Sequence, residues 1–118
     1  MKKDDINWIE KYEKLKEVSG REWAGKINKI TPMTNKEYFG DEGVFGEKDG
    51  IELEVTIEDP KNKDFKETFT QWISIPTSFR GVEKSHMYLF EQRYGERPKE
   101  DLIVNVVLDD NNFFRIVL

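Results

Sequence analysis

The chain's one histidine, His86, directly follows Ser85, a pairing that would set a base beside a hydroxyl nucleophile if the two side chains met. A Ser-His pair works only when its members converge from different directions. Neighbours at a helix start diverge, so Ser85 reads as a helix cap and His86 as a half-exposed residue. The stretch "GVEKS", 81–85, has the Lys-Ser ending of a phosphate-binding loop, but that loop needs glycine directly before the lysine, and Glu83 stands there. Oxygen ligands gather in "GDEGVFGEKDG", where Asp41, Glu42, Glu47 and Asp49 would suit Ca²⁺ or Mg²⁺ by chemistry. Their spacing lacks the alternation of a calcium-binding loop, and the segment reads as solvated. The chain has no cysteine, which excludes disulfides, thiolate metal sites and cysteine nucleophiles. The expectation is a protein that is not an enzyme, with no cofactor and no metal.

Binding chemistry is better represented. Trp72 lies in "FTQWISIP" among small polar neighbours, and "KEYFGDEGVF" carries Tyr38, Phe39 and Phe45 in a glycine-containing stretch. Such rings can stack on a flat ligand. They can equally be covered, Trp72 above all by Ile9, Tyr12 or Leu15 of an N-terminal helix or by a partner chain.

The elements that must position these residues follow from patterning. At 118 residues the chain is one domain's worth of material, and we expect a single domain over 1–118, with an N-terminal helix in 1–20 and a barrel in 21–118. Apolar and charged residues each make up 36%. No apolar run approaches the ~20 residues of a membrane span, and "MKKDDINWIEKYEKLK" lacks the apolar core of a signal peptide. The expected setting is cytoplasmic, with no membrane partner. Abundant Lys and Glu with no Cys is a composition associated with hyperthermophile proteins, which points to an archaeal or thermophilic source.

Charge is uneven. Residues 41–60 hold eight acids and one lysine, hence −7, so the rest of this small acidic protein, at −5 overall, carries +2.

Residues 4–18 fit an amphipathic helix, with Asp4 or Asp5 as N-cap, Gly20 as stop, and Ile6, Trp8, Ile9, Tyr12 and Leu15 near one face. "REWAGKINKI", 21–30, reads as a strand with a bulge or bend at Gly25, and 31–50 as a long loop. Ile51, Leu53, Val55 and Ile57 alternate with Glu52, Glu54, Thr56 and Glu58, which gives a strand with one dry and one wet face. After the polar connection "PKNKD", the next strand puts Phe65, Phe69, Ile73 and Ile75 on one parity and Lys66, Thr68, Thr70, Trp72 and Ser74 on the other. By that register Trp72 faces out. "TSFRGVEK" reads as irregular. Ser85 caps a helix over "HMYLFEQRY" with Gly95 as its stop, and Met87, Phe90 and Tyr94 form its buried stripe. "DLIVNVVL" and "NFFRIVL", joined by "DDNN", form a hairpin apolar on both faces, so both faces are expected to be covered.

This order of elements, the mid-strand glycine of "WAGKI" and the position of "SHMYLFEQRYG" resemble the OB-fold, the oligonucleotide/oligosaccharide-binding barrel. The resemblance implies a mainly β (α+β) chain: a five-stranded Greek-key barrel with a helix between strands 3 and 4, here with an extra N-terminal amphipathic helix. It further implies single-stranded nucleic acid as partner, bound weakly or selectively by aromatic stacking. The surface would comprise Trp72, Lys66, Thr68 and Thr70 from the third strand, bordered by Lys26, Lys29, Tyr38, Phe39 and Phe45. Glu52, Glu54 and Glu58 share that face, and phosphate contacts dominate non-specific affinity, so the acids oppose strong binding. The alternative is a protein-protein interaction or assembly module using its acidic face and its N-terminal helix.

Overall fold

The structure is a computed structural model and describes residues 8–10, 12–13, 22–59, 62–76, 78–111 and 113–118. Five antiparallel strands, β1 (Glu22–Thr34), β2 (Asp49–Asp59), β3 (Asn62–Ser74), β4 (Ile103–Leu108) and β5 (Phe114–Ile116), pair in the order β3-β2-β1-β4-β5 and curl into a nearly closed barrel. Among residues 22–118, the described residues include helices α1 (Asn35–Phe39) and α2 (His86–Tyr94) and short 3-10 helices at Gly40–Glu42 and Phe79–Lys84.

The alternation of β2 drives closure. Ile51, Leu53, Val55 and Ile57 are buried in one cluster with Trp23 and Ile27 of β1, Phe65 and Ile73 of β3, Val104 and Val106 of β4 and Ile116 of β5. Helix α2 adds Phe90, fully buried, while Met87 and Tyr94 pack on the same core. Its ends match the local signals. Ser85 Oγ accepts the Tyr88 N–H, and Gly95 takes the left-handed conformation at φ 75° that ends the helix. Tyr94 donates its hydroxyl proton to the Val117 carbonyl at 2.6 Å and accepts the Asn105 N–H at 3.2 Å, which ties α2 to the last hairpin.

Closure between β3 and β5 is made by a side chain. Ile116 N–H donates to Gln71 Oε1 at 2.8 Å, so an amide stands where a backbone ladder would otherwise run.

Several sequence expectations change. β1 runs on to Thr34, because it stays paired with β2 as far as Thr34–Asp49, while on its other edge the pairing with β4 ends at Lys26 and the last backbone bonds, to Asp101 and Leu102, are made by Ile27. Pro32 is tolerated there, since its missing N–H deprives no neighbouring strand of a donor. The stretch 31–50 is no open loop. Thr34 and Glu37 form a reciprocal capping box that starts α1. The stretch read as irregular contains the 3-10 helix at Phe79–Lys84. The last hairpin is covered only in part, as Ile103 and Phe113 remain exposed. Of the expected helix over 4–18, Trp8–Glu10 and Tyr12–Glu13 are helical, and the remainder lies outside the described residues.

The bulge expected at Gly25 sits instead between Ile27 and Lys29. Gly25 points into the core, where a Cβ would lie 2.7 Å from Val55 Cγ1 and 2.8 Å from Val106 Cγ2. Glycine is present because two valines already fill its space. Gly25→Ala should therefore destabilise the barrel by roughly 1–3 kcal/mol, the usual range for overpacking a tight core. A chemical-denaturation midpoint equal to that of the parent would refute this explanation.

Candidate functional site

Trp72 shares the outward parity of Thr68 and Thr70, and in register it lies opposite Glu52. It is nonetheless only 5% exposed. What covers it is the segment between β1 and β2. The indole N–H donates to the Met33 carbonyl at 3.0 Å, and Phe39 meets the ring edge-on at a centroid distance of 6.3 Å. Gly50 leaves the space the ring fills, since a Cβ there would touch the indole carbons and lie 2.5 Å from the Ile73 carbonyl. Tyr38 anchors α1 to β3, donating to the Thr70 carbonyl at 3.0 Å and sharing a hydrogen bond with the Thr70 hydroxyl at 2.9 Å.

Folding 34–48 against the end of β3 leaves a groove of about 690 Å³. One wall is the β1–β2 connection, with Asn35, Tyr38, Phe39, Val44 and Phe45. The opposite wall is the β4–β5 hairpin, with Phe113, Phe114 and Arg115, and the floor follows the β3–β5 seam at Gln71. Three phenylalanines stand exposed on the rims, Phe39 at 49%, Phe45 at 58% and Phe113 at 66%. The Lys48 ammonium sits 5.3 Å from the centre of the Phe45 ring, close enough for a cation-π contact.

The groove's charge is mixed and locally positive. Its acidic lining residue is Glu42, and His86 and Arg115 also line it. Burial holds the His86 imidazole below its ordinary pKa, and the positive charges of Lys48 and Arg115 push it in the same direction. His86 Nδ1 is buried and has no hydrogen-bond partner among the described residues. The imidazole is thus a neutral polar group in an electropositive corner. The acids of β2 lie elsewhere: Glu58 is 3.8 Å from Lys66, and Glu54 pairs in register with Lys29.

Arg115 is held by the hairpin it belongs to. Asp109 accepts Arg115 Nε at 2.6 Å, and its other oxygen accepts the N–H groups of Asn111 and Phe113, each at 2.9 Å. The Phe113 N–H first, then Arg115 and the Asn111 N–H, hold the Asp109 carboxyl below its ordinary value against an opposing desolvation effect. A carboxyl depressed on folding contributes stability above its unfolded value, here 3.8, and loses it as pH falls through the lower folded value. Protonation of Asp109 as pH falls through that lower folded value should accordingly reduce the protection of the Phe113 and Asn111 amides relative to the intrinsic exchange rate at each pH. In Asp109→Ala, which has no side-chain acceptor, the same amides should lose their protection at every pH. Unchanged protection in that variant would contradict the assignment.

Seven of the nine residues expected from sequence divide between two places. Trp72, Thr70, Tyr38, Phe39 and Phe45 meet at the groove. Lys26 and Lys66 line a separate, smaller hollow of about 390 Å³ with Asn28, Thr56, Glu58 and Ile103, where Lys26 is 3.8 Å from Asp101. Thr68 lies between the two and bonds Thr56 across the strands at 2.9 Å, while Lys29 lines neither. Sequence reasoning missed Gln71, His86, Phe113 and Arg115. Phe113 was legible: of two consecutive phenylalanines entering a strand, alternation can bury only one. Among the described residues no group of three or more His, Asp or Glu side chains could hold a metal ion, and no helix is long and apolar enough to cross a membrane.

No protein-family model, curated protein or solved structure matches the chain.

Proposed function

We propose that the chain is a non-enzymatic OB-type barrel that binds single-stranded nucleic acid weakly in the groove between its β1–β2 connection and its β4–β5 hairpin. The observation that carries this reading is the set of exposed rings on facing rims, Phe39 and Phe45 against Phe113, above a corner holding Lys48, Arg115 and His86. The strand order supports the fold assignment, since β1 lies between β2 and β4 while β3 and β5 face each other across the seam, as an OB barrel requires. Bases have π-faces whatever their identity, and each stacked base is worth about 1–3 kcal/mol. The acids of β2 limit affinity but do not line the groove, and one of them, Glu58, is paired with Lys66.

With about two cations engaged, affinity for a single strand should fall roughly 25-fold over a tenfold rise in salt. Fluorescence titration with a labelled single-stranded oligonucleotide at low and high salt measures this. Absence of binding at low salt would overturn the proposal.

A second reading, a protein-interaction module, is favoured by the apolar rim, where Val44 is 85% exposed, and by Trp8, exposed on its helical turn. The same titration separates the two, because a groove built for an apolar protein segment gives no salt-dependent oligonucleotide binding.

A further inference from the structure

The groove's floor and its rims have different chemistry. Ile116 N–H can only donate, so the Gln71 atom 2.8 Å from it must be the amide oxygen. The Gln71 NH₂ group then points away from that bond with two protons to give. Asn35 repeats the arrangement, its Oδ1 accepting the Phe45 N–H at 3.2 Å, which again leaves an NH₂ group. Both residues line the groove, and among the described residues neither NH₂ has an acceptor. Arg115, which also lines the groove, carries donors only, and Asp109 occupies just the Nε edge of the guanidinium. The hydroxyls of Tyr38 and Thr70 are engaged with each other and with the Thr70 carbonyl. Glu42, exposed on the β1–β2 wall, is the lining carboxylate; away from it, Gln71, Asn35 and Arg115 offer hydrogen-bond donors in excess of acceptors, while Trp72 is covered and Phe69 and Phe114 are only partly exposed. The rings open to a ligand stand on the rims.

We infer that a single strand lies in this groove with its phosphodiester backbone against the donors of Gln71 on the floor and of Asn35 and Arg115 on the two walls, and with its bases turned outward onto Phe39, Phe45 and Phe113. A phosphodiester group accepts hydrogen bonds and donates none, so it can satisfy the donors of Gln71, Asn35 and Arg115, and its charge shortens and strengthens each bond. A base edge mixes donors with acceptors and would leave some donors facing donors. Because every base stacks, the arrangement also predicts little discrimination among base sequences. This inference rests on the nucleic-acid reading proposed above.

The test compares an oligothymidine strand of ordinary phosphodiester backbone with the same sequence as an uncharged methylphosphonate, using the intact protein and Gln71→Glu. The glutamate oxygen still accepts the Ile116 N–H, so the seam stays closed, while the NH₂ donors are lost; a thermal melt checks the fold. The phosphodiester strand should bind the parent at least about tenfold better than the methylphosphonate. Gln71→Glu should lower phosphodiester binding by at least about tenfold and leave methylphosphonate binding within about twofold. Equal binding of the two strands by the parent protein overturns the inference and spares the nucleic-acid reading. So does an equal loss for both strands in a folded Gln71→Glu variant. If that variant fails to fold, the parent comparison of the two backbones decides alone. Failure of every strand to bind at low salt overturns both.

Discussion

Trp72→Ala should destabilise the barrel by about 3–5 kcal/mol, the range for deleting a large buried aromatic side chain. The indole is 5% exposed although its register points it outward, and it holds the whole of 33–50 against β3, touching the end of β1 at Met33, α1 at Phe39 and the start of β2 at Gly50. Alanine removes the buried surface, leaves the Met33 carbonyl without its indole donor and opens a cavity beside Gly50. Collapse into that cavity would also release the β1–β2 connection, so groove and stability should be lost together. Trp72→Phe keeps most of the apolar volume and should cost less, with about 1 kcal/mol assignable to the missing N–H bond. Denaturant unfolding of both variants measures the difference. An Ala variant as stable as the parent would mean that the ring is not the clamp described here.

The second large effect concerns binding alone. Phe45→Ala combined with Phe113→Ala removes one exposed ring from each rim, and at about 1–3 kcal/mol per stacked base the pair should weaken single-strand binding by about 2 kcal/mol or more, roughly thirtyfold. Neither ring belongs to the buried core, so the melting midpoint should move little. Oligonucleotide titration and a thermal melt on the same preparation make the comparison. Undiminished binding would remove the rims from the account, and a large fall in stability would show that the rings are structural.

How much of this was legible in the sequence depends on the range of the forces involved. The alternation from Ile51 to Ile57 is a period of two that burial on one face imposes directly, and it located the barrel wall. Ser85 and Gly95 marked the ends of α2 because capping is decided within a few residues. The capping box of Thr34 and Glu37 was equally local and equally readable in "TNKE", yet the glycines and the proline around it drew the reading towards an open loop. Gly25 was read by its backbone freedom, whereas what fixes it is the proximity of Val55 and Val106, residues about 30 and 80 positions away. Trp72 was placed on the correct face. Its cover could not be read, because that depends on how 34–48 folds back over β3, a tertiary event with no local signature. The groove itself is a product of that event, and so Gln71, a strand residue of interior parity, became a floor residue only once the seam between β3 and β5 was seen to be bridged by its amide.

The account's central claim is that single-stranded nucleic acid enters the groove between the β1–β2 connection and the β4–β5 hairpin. Chemical-shift mapping by NMR during titration with a single-stranded oligonucleotide at low salt tests it most directly. The account predicts that shifts concentrate at Phe39, Phe45, Gln71, His86, Phe113 and Arg115, while Lys26, Lys66 and the outward acids of β2 stay in place. Shifts centred on the Lys26 and Lys66 hollow, or none at all, would contradict it.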